Sequence, residues 1–275
     1  MLNETQLKHL DLFGFVILKN IFTPKELEIL RSEFEIACKN NELKQGPYDN
    51  TYRYMSMLGK DTPFYASLIE DPRFYKPITQ WFGEKSFGFE IHSYRYVNDT
   101  RWHYNDGSPN IYGYGAKYQF PLYEPVTAQT GALRFLPGSH KDPWQSELRQ
   151  WWPFEDFKTQ EKHNTSQAAM EIIDSIPYCP AECELGDAVL FDLRIMHSTW
   201  GGGIDRNVSC ISYFHYPESP EEFDTMKKII PSHWGRKDRW DQEEFDYFFS
   251  NPNKSPIRQK WINSYKELLA LSSNT

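Results

Sequence analysis

Two histidines 94 residues apart, His103 and His197, each stand where a β-like run gives way to turn-forming residues, and no other feature constrains the fold as much. His103 follows the run Phe87–Val97 and is succeeded by Asn105-Asp106-Gly107, a turn signal. His197 follows Gly186-Asp-Ala-Val-Leu-Phe191, a Gly-Asp turn feeding an apolar strand, and precedes Gly201-Gly-Gly203. Side chains so distant in sequence meet only if the strands between them fold back on one another. Further short runs at residues 117–123, 132–136, 188–191 and 208–215, separated by Gly and Pro turns, supply such strands. The pattern predicts a mainly β chain with flanking helices, folded as a sandwich or jelly roll, the architecture of cupin-like proteins.

The flanks read as helix. Phe15-Val-Ile-Leu18, after Gly14, fits a buried strand inside an otherwise helical stretch over residues 5–36. Thr23-Pro-Lys-Glu26 offers an N-cap hydroxyl, a first-turn proline and a glutamate that closes a capping box. Leu27, Leu30, Phe34 and Cys38 follow at helical spacing, residues 40–54 read as loop, and 63–82 read as a helix ending near Gly83. Residues 144–177 form a long insertion of the kind used as a lid, with Trp151, Trp152 and Phe154 as lid candidates. Beyond Tyr216 the chain turns helical and charged, one helix starting at Ser219-Pro-Glu-Glu. A single domain over residues 1–275 is expected, with its jelly-roll core at about 87–216 and helical additions at both ends.

A net charge of −8 and the lack of any Lys/Arg-rich run argue against nucleic-acid binding. No apolar run has the length to span a bilayer, and the polar, acidic start does not read as a signal peptide, so a cytoplasmic location without membrane contact is expected. Cys179 and Cys183 are spaced C-x3-C with no second Cys or His pair nearby to complete a zinc site; with Cys38 and Cys210 they read as reduced thiols.

The two histidines call for a chemical explanation. Two His and one carboxylate on one face of Fe(II) leave the opposite positions open for a chelating cosubstrate and for O2. Arg206, nine residues after His197, carries the planar fork suited to the far carboxylate of that cosubstrate. The remaining histidines have plainer readings: His9, His163 and His233 lie in polar contexts, and His92 and His215 lie within strand candidates, in structural or supporting roles.

Three motifs in order carry a resemblance. Trp102-His103…Asp106-Gly107, then Gly131-Ala-Leu-Arg-Phe-Leu-Pro-Gly-Ser-His140-Lys141, then Gly186-Asp-Ala-Val-Leu-Phe-Asp192…His197…Arg206 resemble the phytanoyl-CoA dioxygenase family, as does the opening Phe13-Gly-Phe-Val-Ile-Leu-Lys19. The resemblance spans residues 5–216 but not the insertion or the tail. It implies a double-stranded β-helix, Fe(II), 2-oxoglutarate, O2 and C–H hydroxylation of a small molecule with release of succinate and CO2. It implies His103 and His197 as metal ligands, Arg206 as anchor of the 2-oxoglutarate C5 carboxylate, and His140 as part of a structural turn. Gln119 and Lys117, on the strand after the metal loop, are candidates to hydrogen-bond the cosubstrate, with Ser209 a further one.

The third ligand stays open. The family has one residue between the first histidine and its carboxylate; here Tyr104 and Asn105 precede Asp106. In a regular strand Asn105 shares a face with His103, whereas a bulge or the Asn-Asp-Gly turn brings Asp106 round. Charge matching favours Asp106. Asn105 facing the metal would allow a halide in the third position, making a halogenase, and a metal-binding module without turnover is the other rival. The substrate is expected to be a secondary metabolite, cylindrospermopsin-type alkaloids being one branch considered; the oligomeric state is not encoded in any feature identified.

Overall fold

The computed structural model describes residues 1–48, 53–97, 99–104, 115–151, 177–220, 222–224, 226 and 242–273. The order along the chain is α1 (Glu4–Phe13), β1 (Phe15–Leu18), α2 (Pro24–Gln45), β2 (Arg53–Ser56), α3 (Pro63–Leu68), α4 (Pro72–Phe82), β3 (Phe87–Val97) and β4 (Thr100–His103). There follow β5 (Gly115–Pro121), β6 (Leu133–Phe135), α5 (Trp144–Trp151), β7 (Cys179–Ala181), β8 (Ala188–Asp192), β9 (His197–Thr199) and β10 (Ile204–Phe214). Two helices close the described chain, α6 (Gln242–Ser250) and α7 (Pro256–Ser273).

The strands form two antiparallel sheets, one in the order β1-β8-β5-β10-β3-β2 and one in the order β4-β9-β6-β7. Chain neighbours are distributed between the sheets, so the chain winds back and forth as a double-stranded β-helix does. Side chains alternate across each strand, and the alternation separates two environments. Tyr118, Leu190, Ile211, Tyr213 and Ile91 point to the outer face of the larger sheet, where they pack with Leu30 and Phe34 of α2, Phe74 and Ile78 of α4, and Trp261 and Tyr265 of α7. Phe15, Val189 and Phe191 point inward and meet Leu133 and Phe135 of the smaller sheet. A third cluster, Trp102, Tyr104, Leu136, Leu148 and Met196, covers the outer side of the smaller sheet and seats α5.

Local signals explain most boundaries. Both halves of the capping box at Thr23 and Glu26 are made, and Asn3 and Gln6 form a second one at α1. α2 continues to Gln45, past residue 40 where a loop was expected; Glu42, Leu43 and Lys44 are good helix formers and Gly46 supplies the stop. The expected helix over 63–82 is two, because Asp71 caps a new start by accepting from the Arg73 N–H at 2.8 Å, ahead of which Pro72 occupies the first turn. The N-terminus of α3 is capped from outside: Glu33 of α2 accepts from the N–H groups of Phe64 and Tyr65, both at 2.9 Å. β2 begins inside the 40–54 stretch read as loop, and β7 falls where no strand was read. Each is short and held by pairing, β2 to β3 and β7 to β6. The start at Ser219 holds, its Oγ accepting from the Glu222 N–H at 3.2 Å. The insertion opens with α5, while Trp152 and Phe154 lie outside the described residues, as do His163 and His233.

Candidate metal and cosubstrate site

β4 and β9 pair with His103 directly opposite His197, and the two imidazole centroids are 4.3 Å apart. Neighbours on those strands point the other way: Trp102 and Met196 pack outside the smaller sheet, so the histidines face the space between the sheets. His197 is walled by Phe191 and Phe135, with ring centroids 5.3 Å and 6.1 Å from its own. Its Nδ1 lies 2.8 Å from the Ile195 carbonyl oxygen. A carbonyl only accepts, so Nδ1 carries the proton and Nε2 presents its lone pair inward, the tautomer a metal ligand needs. Burial first, then the neighbouring His103, push the His197 pKa well below its usual value; the Ile195 carbonyl opposes this and Lys117 adds to it. The ring is therefore neutral at pH 7.

Two facing imidazoles are a donor set that suits a divalent transition metal such as Fe(II). Among the described residues no group of three His, Cys, Asp or Glu side chains stands ready to hold a metal. Asp106 and Asn105, the alternatives for the third donor, lie outside the described residues.

Arg206 is buried on β10, and its guanidinium is fixed from two sides. Nη1 donates to the Gly131 carbonyl at 2.6 Å, and Nη2 donates to Thr199 Oγ1 at 3.1 Å. Thr199 lies two residues from His197 on β9, so strand geometry ties the arginine to the metal-facing strand. The slot around it is made of missing side chains. A Cβ on Gly131 would come within 2.7 Å of Arg206 Cδ, and one on Gly202 within 2.9 Å of Nε. The glycine of the Gly131-Ala-Leu motif and the second of Gly201-Gly-Gly203 are thus explained by one arginine. Sequence reading missed this, and Thr199 with it; three glycines beside a charged strand were the available signal.

The other motif residues are structural. His140 Nε2 lies 3.0 Å from the Asp11 carbonyl oxygen, and a Cβ on Gly14 would sit 2.6 Å from His140 Nδ1. Ser139 Oγ accepts from the Met196 N–H at 2.9 Å. The Pro-Gly-Ser-His element therefore joins the end of α1 to the strand bearing His197. Asp187 accepts from Lys19 Nζ at 2.7 Å and from the N–H groups of Asn20 and Glu184, both at 2.9 Å, which fixes the turn into β8.

Lys117 and Gln119 alternate with the outward-facing Tyr118 and lie on the inner face of β5. Lys117 acts electrostatically on His197, and Gln119 Nε2 donates to Cys210 Sγ at 3.6 Å. Ser209 is a correction. It lies on the opposite, outer face of β10, where its hydroxyl shares hydrogen bonds with Tyr65 at 2.8 Å and Ser93 at 2.7 Å. Counting three residues on from Arg206 places it on the wrong side of the sheet, since side chains alternate with period two.

Residues 121–201 match the family described as phytanoyl-CoA dioxygenase (PhyH). The chain resembles the phytanoyl-CoA dioxygenase family. The matched segment contains His197 and the two residues that hold the Arg206 guanidinium, Gly131 and Thr199. An ectoine dioxygenase of Bordetella bronchiseptica is 24% identical over 157 residues, 51% of this chain and 50% of that protein. The chain thus spans about half the length of the curated relatives it matches. Among solved structures, HygX from Streptomyces hygroscopicus with nickel and 2-oxoglutarate bound superposes with a TM-score of 0.59 at 19% identity, over 80% of this chain and 91% of that one. SnoN, a non-haem α-ketoglutarate-dependent epimerase from nogalamycin biosynthesis, gives 0.55 at 14% identity, over 78% and 82%. The likeness to these solved structures shows the fold, a jelly roll.

Proposed function

We propose that the protein is an Fe(II)- and 2-oxoglutarate-dependent oxygenase that oxidises a C–H bond of a small molecule, hydroxylation being the expected outcome. The observation that carries this reading is the pairing of His103 with His197 between the sheets, with the Arg206 guanidinium held two residues along β9 by Thr199. A site that only stored metal has no evident use for a fixed guanidinium beside it. His103 and His197 would hold iron with Asp106 as the third donor. Arg206 would grip the far carboxylate of 2-oxoglutarate, and Lys117 and Gln119 face the same space. Bound iron with 2-oxoglutarate and O2 supplies the oxidising chemistry, releasing succinate and CO2. The chain's share is orientation and exclusion of water. Burial and the neighbouring His103 would keep His197 neutral, the Ile195 carbonyl would set its tautomer, and Phe191 and Phe135 would wall the metal-facing side.

A second reading is favoured by the SnoN likeness: the same apparatus removes hydrogen without inserting oxygen, as in an epimerase. The test measures succinate formed from 2-oxoglutarate under air with added Fe(II), with product mass read in parallel. Succinate formation lost in His197→Ala and restored by no other metal supports the oxygenase. A product 16 mass units heavier identifies hydroxylation, an unchanged mass epimerisation, and uptake of chloride a halogenase. Absence of any succinate from the wild-type chain sinks the proposal in favour of a binding module.

A further inference from the structure

The link from β3 to β4 meets the Arg206 slot at two points that play no part in the cosubstrate reading above. Thr100, the first residue of β4, pairs with Thr199, and its N–H donates to Thr199 Oγ1 at 3.0 Å. The same oxygen accepts from Arg206 Nη2 at 3.1 Å, so a β4 amide and the arginine share one hydroxyl. One residue earlier, Asp99 Oδ1 accepts from the Gly201 N–H at 2.6 Å and from the Gly202 N–H at 3.4 Å. Asp99 itself is exposed, so its carboxylate plays no part in the core.

What Asp99 holds is a wall of the slot. A Cβ on Gly131 would fall 2.7 Å from Gly202 Cα, and a Cβ on Gly202 would fall 2.9 Å from Arg206 Nε. Gly201, at a φ of +78°, backs onto the Gln129 carbonyl oxygen, which an added Cβ would strike at 2.1 Å. The loop is thus wedged between the turn before β6 and the guanidinium. Three glycines in a row lose more backbone entropy on ordering than other residues do, so such a loop keeps one conformation only if bonded from outside. A carboxylate accepting from two successive N–H groups supplies that bond, strengthened by its charge. β4 also bulges between Thr100 and His103, where its register against β9 shifts. A bulge re-aims the strand beyond it, so the link at Asp99 and Thr100 joins the wall behind Arg206 to the strand presenting His103.

We propose that Asp99 is a positioning residue for the cosubstrate anchor: it holds Gly201 and Gly202 against Arg206 and so keeps the guanidinium aimed at the carboxylate it grips. Calling the slot a cosubstrate anchor rests on the oxygenase reading; the hold of Asp99 on the glycine loop does not. The parent, Asp99→Ala and Asp99→Asn are titrated with 2-oxoglutarate by calorimetry, with Ni(II) in place of iron. Asp99→Ala should bind 2-oxoglutarate about tenfold more weakly, with Ni(II) binding intact. In the succinate assay its KM for 2-oxoglutarate should rise by a like factor while kcat stays within about twofold. Asp99→Asn, whose amide oxygen accepts the same bonds, should stay within about threefold of the parent. Hydrogen exchange at the Gly201 amide should be protected in the parent and about tenfold faster in Asp99→Ala. The inference is overturned if Asp99→Ala binds 2-oxoglutarate like the parent, if Asp99→Asn is as weak as Asp99→Ala, or if Ni(II) binding and unfolding temperature fall together with 2-oxoglutarate affinity. Should Asp99→Ala not fold, exchange in the parent decides, and an unprotected Gly201 amide overturns the hold. Binding of 2-oxoglutarate lost in Arg206→Ala but kept in Asp99→Ala discards the positioning role and keeps the oxygenase. A parent that binds no 2-oxoglutarate, with Gly201 exchange still faster in Asp99→Ala, discards the oxygenase and keeps Asp99 as the anchor of the loop.

Discussion

At Gly131 a single hydrogen atom does what no other side chain allows. Its φ of +92° lies in the left-handed region, and an added Cβ would strike Arg206 Cδ at 2.7 Å. Gly131→Ala should therefore act on the arginine rather than on the metal. We expect 2-oxoglutarate affinity, measured by calorimetry with Ni(II) in place of iron, to fall about tenfold, with Ni(II) binding intact. Arg206→Ala should go further, by a hundredfold or more, since removing one side of a buried charge pair costs roughly 3–5 kcal/mol. Unchanged affinity in Arg206→Ala would identify another basic residue, Lys117 first, as the anchor. For the third ligand, Asp106→Ala should lose iron and succinate formation, while Asn105→Ala should keep both. Iron content and turnover that survive in Asp106→Ala would transfer the role or leave the position to halide. The juxtaposition of the two histidines was legible because each stands where a patterned run gives way to a turn. Thr199 was not, because a threonine in a strand is ordinary until its partner is seen. Ser209 misled because sequence distance from Arg206 was used where strand parity was needed.

Elements were legible where the signal is local. The capping box at Thr23 comes from side chains acting on their own backbone, and the stop at Gly83 from a residue free to take a positive φ, so a reader of the sequence sees the same atoms the fold uses. β2 and β7 escaped because their extended form comes from partners far along the chain, Ser56 beside His92 and Phe135 beside Cys179. The α2 cap also supports a pH prediction. Burial pushes the Glu26 carboxyl up, but hydrogen bonds from Arg73, the Thr23 N–H and the Thr23 hydroxyl outweigh it and hold the pKa at about 2, against 4.5 ordinarily. A depressed carboxyl pKa gives stability that is full above the unfolded value and disappears as pH falls through the folded one. Glu26→Gln should lower stability by about 1–2 kcal/mol at pH 7, allowing for solvent screening at the half-exposed Arg73, and the gap should close between about pH 4.5 and 2. Urea unfolding of both proteins across that range checks it; a gap independent of pH would mean the side chain acts by packing.

On the scale of the whole molecule, the C-terminal helix is part of the fold although it lies beyond every recognised motif. Trp261, Ile262, Tyr265 and Leu268 of α7 are buried against the outer face of the larger sheet, and Gly88 of β3 leaves room for the Trp261 ring, a Cβ there falling 2.8 Å from it. Arg258 donates to the Ala66 carbonyl at 3.0 Å and pairs with Glu70, tying α7 to α3 and the turn after it. Four such side chains at about 1.5–3 kcal/mol each match the whole stability of a typical domain. A chain ending at Ser255 should fail to fold cooperatively, seen as loss of a thermal transition; a sharp transition within a few degrees of the parent would show α7 to be an accessory. None of this was visible beforehand, since a helix pattern states which face is apolar but not which sheet it covers.

The glycine-lined slot also sets a length. With its guanidinium pinned to the Gly131 carbonyl and to Thr199, Arg206 is unable to slide, and His197 stands on the same strand as Thr199, with His103 held opposite it on β4. If the proposed roles hold, the interior would work as a caliper with two fixed jaws. A diacid that spans them with one methylene too many would have to buckle, and one too short would let go of an end. Chain length, rather than charge, would then be the property by which such an interior sorts one 2-oxo diacid from the next.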